Sequence, residues 1–235
     1  MHRIARSSGI DYRRYNSLNF VHLRRNEILH KKGVATVIDV GAHDGGYGCE
    51  LRENGFGGAI VSFEPMAEPY QRLAKIASLD GNWSVNPTAL GSIHCEASIN
   101  VSKHATSSSF LRMTGAHEQA SPGSQYQGAE TVRIERLESY ATANDIKGAP
   151  TWLKVDVQGY EKKVLEGAGS LLREFAGIEL ELSLVPLYEG APLIEEMISY
   201  LRQHGFAPTS FEDVFVDPDT TRVLQVNGIF LRGAL

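Results

Sequence analysis

The chain has 235 residues, 42% hydrophobic and 22% charged, which fits a folded globular protein and excludes whole-chain disorder, collagen or coiled coil. No apolar run approaches the roughly 18 residues a membrane span needs, and no apolar h-region follows Arg3 and Arg6, so neither a membrane span nor a secretory leader is expected. Net charge is −5 but unevenly spread, with eight Lys or Arg and two acids (Asp11, Glu27) in residues 1–32 against 15 bases and 26 acids in the rest.

So acidic a body argues against a generic nucleic-acid binder. Residues 1–33 read as a basic, solvated helical extension ahead of one domain at 34–235. The competing reading is a contact with an anionic substrate or a partner subunit. Cys49 and Cys95 suggest no disulfide framework and no CxxC metal or redox pair. A reducing cytoplasm is therefore the expected compartment, and the sequons at Asn82 and Asn100 are then chance matches.

Residues 35–40 form a short β-branched run ending at glycine, a strand signal. A helix over 46–53 follows, with Gly55 as its stop. Residues 59–63 are a second buried strand. Tyr70, Leu73, Ala74 and Ala77 recur at helical spacing. Strand-like pieces lie near 82–86, 93–101 and 130–134, and residues 102–129 read as one long loop, of the kind that often serves as a lid. A helix near 137–144 leads to a strand at 151–156. Val164, Leu165, Ala168, Leu171, Leu172 and Phe175 mark the next helical face, and 178–184 the next strand. A helix from Leu193 to Leu201 has Pro192 placed to start it and Gly205 to end it. The last strands, near 206–211 and 224–232, are joined by the turn Asp217-Pro218-Asp219. Strands alternating with helices imply βαβ units, a mostly parallel sheet and a final antiparallel pair.

Ligands of such sheets bind beyond the carboxyl ends of the strands. After the first strand comes Asp39-Val40-Gly41-Ala42-His43-Asp44-Gly45-Gly46. His43 stands where the dinucleotide pattern GxGxxG needs its second glycine, so the pyrophosphate fingerprint fails. The Gly41-x-x-x-Gly45 spacing suits a smaller ligand. Glu64 closes the next strand about 20 positions on, where an acid can accept both hydroxyls of a ribose. Helix-dipole stabilisation is its plainer role. Together these residues describe a nucleoside site without diphosphate recognition, which S-adenosylmethionine fits. Asp156 ends a third strand, where a reacting group should sit, and Gly159 allows a tight turn after it.

At this point the chain resembles the FkbM family of S-adenosylmethionine-dependent methyltransferases. The matching residues are Val37-Ile38-Asp39-Val40-Gly41-Ala42, Ser62-Phe63-Glu64-Pro65, Ala89-Leu90-Gly91, Ser107-Ser108-Ser109-Phe110 and the block 153–168. Glu179-Leu180-Glu181 and Tyr188-Glu189-Gly190 also fit. The resemblance covers about 34–232 and implies a class I methyltransferase, Rossmann-like α/β fold: a mostly parallel seven-stranded sheet with an antiparallel C-terminal hairpin and helices on both faces. It implies methyl transfer to a hydroxyl of a sugar, glycan or polyketide-type metabolite. It sets Gly41 and Ala42 against the methionine part, Glu64 on the ribose and Ala89 near the adenine. His43 departs from the Asn frequent at that position. The candidate cofactor contacts are thus Asp39, Gly41, Ala42, His43, Gly45, Glu64, Ala89 and Asp156.

A hydroxyl is a poor nucleophile until a base takes its proton. Asp156 is the first choice, although an isolated aspartate of pKa about 3.9 is a weak base. A Mg²⁺ or Mn²⁺ ion held by Asp156 with Glu181 or another carboxylate is the other route to an acidified acceptor. Glu161 reads as a helix first-turn carboxylate or as a carboxylate that supports the site from behind, Ser107, Ser108 and Ser109 as part of a closing loop or of a plain solvated one, Tyr188 as a mouth or core residue, and Trp152 as core. His94, His104 and His117 show no ligand spacing and are expected at the surface. A homo-oligomer is compatible with the sequence. A nicotinamide-dependent oxidoreductase and a non-catalytic cofactor-binding protein are the competing functions.

Overall fold

The computed structural model describes residues 15–146 and 150–233; Arg3, Arg6, Arg13 and Arg14 of the basic segment lie outside the described residues. In chain order the elements are α1 (Val21–Lys31), β1 (Thr36–Val40), α2 (Gly46–Glu53), β2 (Ala59–Phe63), α3 (Ala67–Ala77), β3 (Trp83–Asn86), β4 (Ala89–Leu90) and β5 (Cys95–Ser102). Then come α4 (Gly115–Ala120), β6 (Tyr126–Glu135), α5 (Leu137–Ala143), β7 (Thr151–Val155), α6 (Glu161–Ala168), β8 (Phe175–Ser183), α7 (Ile194–Gln203), β9 (Phe206–Val216) and β10 (Val223–Arg232).

Seven strands form one sheet in the order β3-β2-β1-β7-β8-β10-β9. The first five in that order pair parallel, while β10 runs antiparallel to both β8 and β9. The chain winds outward from β1 in both directions, so the β1–β7 boundary is a topological switch point, where such folds keep their ligands. This is the expected mostly parallel α/β sheet with its antiparallel C-terminal hairpin.

Alternate residues of each strand feed two cores. Val37, Ile60 and Trp152 pack under α1, α2 and α3 with Leu29, Leu51 and Leu73. Ile38, Val61 and Leu153 face the other way, against Leu137, Leu165 and Leu201 of α5, α6 and α7. Strands covered on both faces carry near-continuous apolar runs, which is why β1 and β2 are plain in the sequence. Leu29 is buried, a gain of about 1.5–3 kcal/mol, and it fastens α1 to the sheet.

The structure departs from expectation between β3 and α5. There β4, β6 and β5 form a separate three-stranded sheet. Residues 102–129 are not one long loop: they contain a 3-10 turn at Ala105–Ser107, α4 and the start of β6. Gly128 and Ala129 have weak strand preference, but they pair with Val101 and Asn100 of β5; register with a partner overrides local propensity. His117, expected at the surface, is buried on α4, its ring 5.1 Å from Tyr188 and 5.5 Å from Phe215. Burial pulls its pKa down to about 4, so it packs as a neutral ring. A six-residue helix is too short to show its buried face as a sequence period. His94 and His104 are exposed.

Candidate active site

A cleft of about 660 Å³ opens beyond the carboxyl ends of β1, β2 and β7. Gly41, His43, Glu64, Ala89 and Asp156 all line it. Five of the eight candidate cofactor residues, from four chain segments, therefore meet in one space. Asp39, Ala42 and Gly45 lie outside its lining, as does Glu181.

The backbone builds most of the cleft. The N–H groups of Gly41 and Ala42 both donate to the Phe63 carbonyl at 3.0 Å, which seals the turn after β1 onto the end of β2. Gly41 has φ +76°, and a Cβ there would lie 1.9 Å from the Asp156 carbonyl oxygen. Its glycine is thus required by the close approach of the two strand ends, a reason distinct from ligand contact. Gly45, at φ +91°, precedes α2 and faces Leu73 and Trp83; its role is packing. The next turn orients Glu64. One carboxylate oxygen accepts the His43 N–H and the other the Met66 N–H, each at 2.9 Å. Burial still raises the Glu64 pKa to about 7, only partly offset by those two donors. Met66, Ala89, Leu90, Ile99 and Phe110 make an apolar wall beside it. A carboxylate with spare lone pairs next to an apolar slot fits a ligand carrying a diol and a flat ring.

Asp156 anchors the other end. Gln158, which the sequence reading did not single out, is the hub here. Its amide nitrogen donates to Asp156 Oδ1 at 2.9 Å and to Glu181 Oε2 at 2.7 Å, and its amide oxygen accepts the Tyr188 hydroxyl at 2.7 Å. Its carbonyl also accepts from Ser109 Oγ at 2.7 Å. Gln158 sits at φ +56°, an uncommon value for a side-chain-bearing residue. Glu161 holds that turn by accepting the N–H groups of Val157 and Gly159 at 3.1 Å. Burial lifts the Glu161 pKa to about 7. A polar residue two positions after a strand-end acid, before glycine, is the only trace Gln158 leaves in the sequence.

Asp39 works below the floor. It is fully buried and paired to the Lys154 ammonium at 3.2 Å, and the same ammonium lies 3.7 Å from Asp156 Oδ2 and 3.3 Å from the Gly41 carbonyl. Burial opposes the charge on Lys154, but Asp39 and Asp156 outweigh it and hold it protonated. Glu181 accepts from Gln158 and from Gln225 at 2.8 Å. Burial, then Asp156, drive its pKa well up. Trp152 and Tyr188 are fully buried core residues. Ser108, Ala105, Thr106 and Phe110 close one side of the cleft.

Among the described residues no group of three or more His, Cys, Asp or Glu is arranged to hold a metal ion. Asp156 and Glu181 are bridged by an amide, with an ammonium beside Asp156, so these side chains do not fit a divalent cation. Nor, among the described residues, is any helix long and apolar enough to cross a membrane.

No curated protein sequence is significantly similar to the chain. Solved structures resemble it in overall shape at low identity. One is an rRNA methylase from Streptococcus thermophilus, with 10% identity, TM-score 0.46, and coverage of 89% of this chain and 95% of that one. Another is a precorrin-6y C5,15-methyltransferase from Geobacter metallireducens, with 10% identity, TM-score 0.47, and coverage of 90% and 86%. A third is a candidate tRNA (m1A22) methyltransferase of Streptococcus pneumoniae in complex with S-adenosyl-L-methionine, with 13% identity, TM-score 0.49, and coverage of 90% and 73%. At such distance the rRNA, precorrin and tRNA substrates of those proteins say nothing about the acceptor of this chain. The model of the methyltransferase FkbM domain matches residues 39–208. That span contains the glycine turn, Glu64, the Asp156–Gln158 turn and Glu181, and the chain belongs to the FkbM methyltransferase family.

Proposed function

We propose that the protein is an S-adenosylmethionine-dependent O-methyltransferase acting on a hydroxyl of a sugar, glycan or polyketide-type small molecule. The observation that carries this reading is that Glu64 and Asp156 line one cleft at the switch point of the sheet. Glu64 would hold the ribose diol, Met66, Ala89 and Phe110 the adenine, and the turn at Gly41 and His43 the methionine part. When bound, S-adenosylmethionine supplies a methyl group that is already electrophilic. The chain's own task is then to align the acceptor, exclude water and remove one proton.

Asp156 is the base. Gln158 fixes its Oδ1, and Oδ2, 3.7 Å from the Lys154 ammonium, keeps a lone pair to take the hydroxyl proton as the carbon–oxygen bond forms. Glu161 keeps the turn rigid from behind, and Lys154 with Asp39 holds the floor beneath it. No step is assigned to a metal ion, because the donor set does not suit one. Calorimetry with S-adenosylhomocysteine tests the reading: micromolar binding by the parent chain and by Asp156→Asn, with turnover lost only in the latter, supports it. Absence of affinity in the parent, or normal turnover in Asp156→Asn, refutes it. A thermal-shift comparison with NAD separates it from a nicotinamide enzyme.

A further inference from the structure

The face of the sheet under α1 changes character halfway along. Near the amino ends of the strands it is apolar, with Val37 and Trp152 in register. Toward the carboxyl ends Asp39, Lys154 and Glu179 lie side by side on β1, β7 and β8. One step further, Glu181, Asn227 and Glu212 do the same across β8, β10 and β9. Register neighbours share a face, so six polar side chains form two ladders where a two-sided sheet normally carries apolar ones. Five of the six, all but Asp39, line a second cavity of about 560 Å³, in whose lining Val155 and Leu180 are the only apolar side chains.

Helix α1 supplies the wall. Arg25 is buried, straddles Glu50 and Glu179, and lies 4.5 Å over the Tyr47 ring, whose hydroxyl donates to Glu179 at 2.7 Å. Arg24 ties the same helix to Ser210 of β9 at 2.6 Å. The buried Arg25 Nε has no hydrogen-bond partner, the kind of group a ligand satisfies. Only one layer of side chains parts this cavity from the cleft: Lys154 and Glu181 line it, and they touch Asp156 and Gln158, which line the cleft.

We propose that this cavity binds a hydroxyl-rich ligand without negative charge, at a site beside the methyl-transfer cleft. Asp156 does not line it, so the site stands apart from the methyl-transfer reading. An apolar ligand would strip water from the ladders and return no hydrogen bonds. An anionic one would meet Glu50, Glu179 and Glu212, while Arg25 and Lys154 are already ion-paired. A glycosyl ring offers donors to the carboxylates and acceptors to Arg25 and Asn227.

Saturation-transfer NMR on the full chain with S-adenosylhomocysteine present tests this, using methyl glycosides of hexoses and 6-deoxyhexoses beside hexose phosphates and simple phenols. Transfer to the neutral glycosides is expected. An affinity loss of about tenfold is expected in Glu212→Gln and in Asn227→Leu, with S-adenosylhomocysteine affinity unchanged in both. Glu212 is on an exposed stretch of β9, so its amide variant keeps the fold. A preference for phosphates or phenols, no transfer to any glycoside, or equal binding by parent and variants would overturn the site. Glycoside binding without S-adenosylhomocysteine affinity would keep the site and refute the methyl-transfer reading.

Discussion

The cleft and the sheet-face cavity are built from different material. Backbone turns make the cleft: carbonyls and N–H groups of residues 41–43, 63 and 66 set its shape, and Glu64 is aimed by two peptide N–H groups. Side chains from six elements make the cavity, and they meet only because four strands lie in register beneath two helices. The first kind of site advertises itself in sequence, because a glycine at an odd φ and an acid at a fixed distance cannot be moved. The second kind does not, because its residues sit far apart in the chain and each passes for an ordinary surface charge.

The comparison breaks most visibly at Asp156, which faces the cleft and touches Lys154 of the cavity. Asp156→Asn should lower turnover by about 10²–10⁴-fold, measured in a radiolabelled methyl-transfer assay, while leaving cofactor affinity within a factor of about two. Gly41→Ala comes next. With a Cβ 1.9 Å from a carbonyl oxygen and φ at +76°, it should cost about 2–4 kcal/mol of unfolding free energy. Urea titration reads this, and a cost under about 0.5 kcal/mol would mean that the two strand ends do not meet.

Glu64 sharpens the contrast through pH. Its pKa in the apo protein is about 7, and a diol donates best to the ionised form. S-adenosylhomocysteine affinity should therefore rise with pH through 7, with proton release seen as a buffer-dependent calorimetric enthalpy. Glu64→Gln should bind about tenfold more weakly and show a flat profile. Stability should move the opposite way. An acid raised from 4.5 to about 7 on folding, as Glu64 and Glu161 are, contributes stability that is complete below about 4.5 and fades as pH rises through 7. Thermal melts of Glu161→Gln against the parent, from pH 4 to 8, check the second of these.

The last effect belongs to neither site. His117 is depressed to about 4 from 6.5, so its share of stability is present above 6.5 and is lost as pH falls through 4. His117→Phe should remove that acid sensitivity, which melts of parent and variant between pH 7 and 4 resolve.

Much of the frame was legible because it is two-sided. The helix at 46–53 and the strand at 59–63 stand where the hydrophobic pattern puts them. The small sheet was not legible: β6 opens with Tyr126-Gln127-Gly128-Ala129, which has no β pattern until Val101 and Asn100 lie beside it. Glu64 and Asp156 could be read from strand ends. Gln158 could not, since its four partners come from segments 109, 156, 181 and 188. Asp39 reads as a ligand contact from the sequence, and only the register with Lys154 reveals its buried ion pair.

Strand β10 is last in chain order yet lies between β8 and β9. During synthesis, the backbone edge of β8 that pairs with β10 therefore stays without its neighbour until every other strand has emerged. Until then β9 has no strand to pair with, and the exposed rim of β8 can pair with any extended peptide nearby. The Glu179 and Glu181 charges on that strand discourage such pairing, so the acids that floor the polar cavity in the finished molecule also guard the nascent one against clumping.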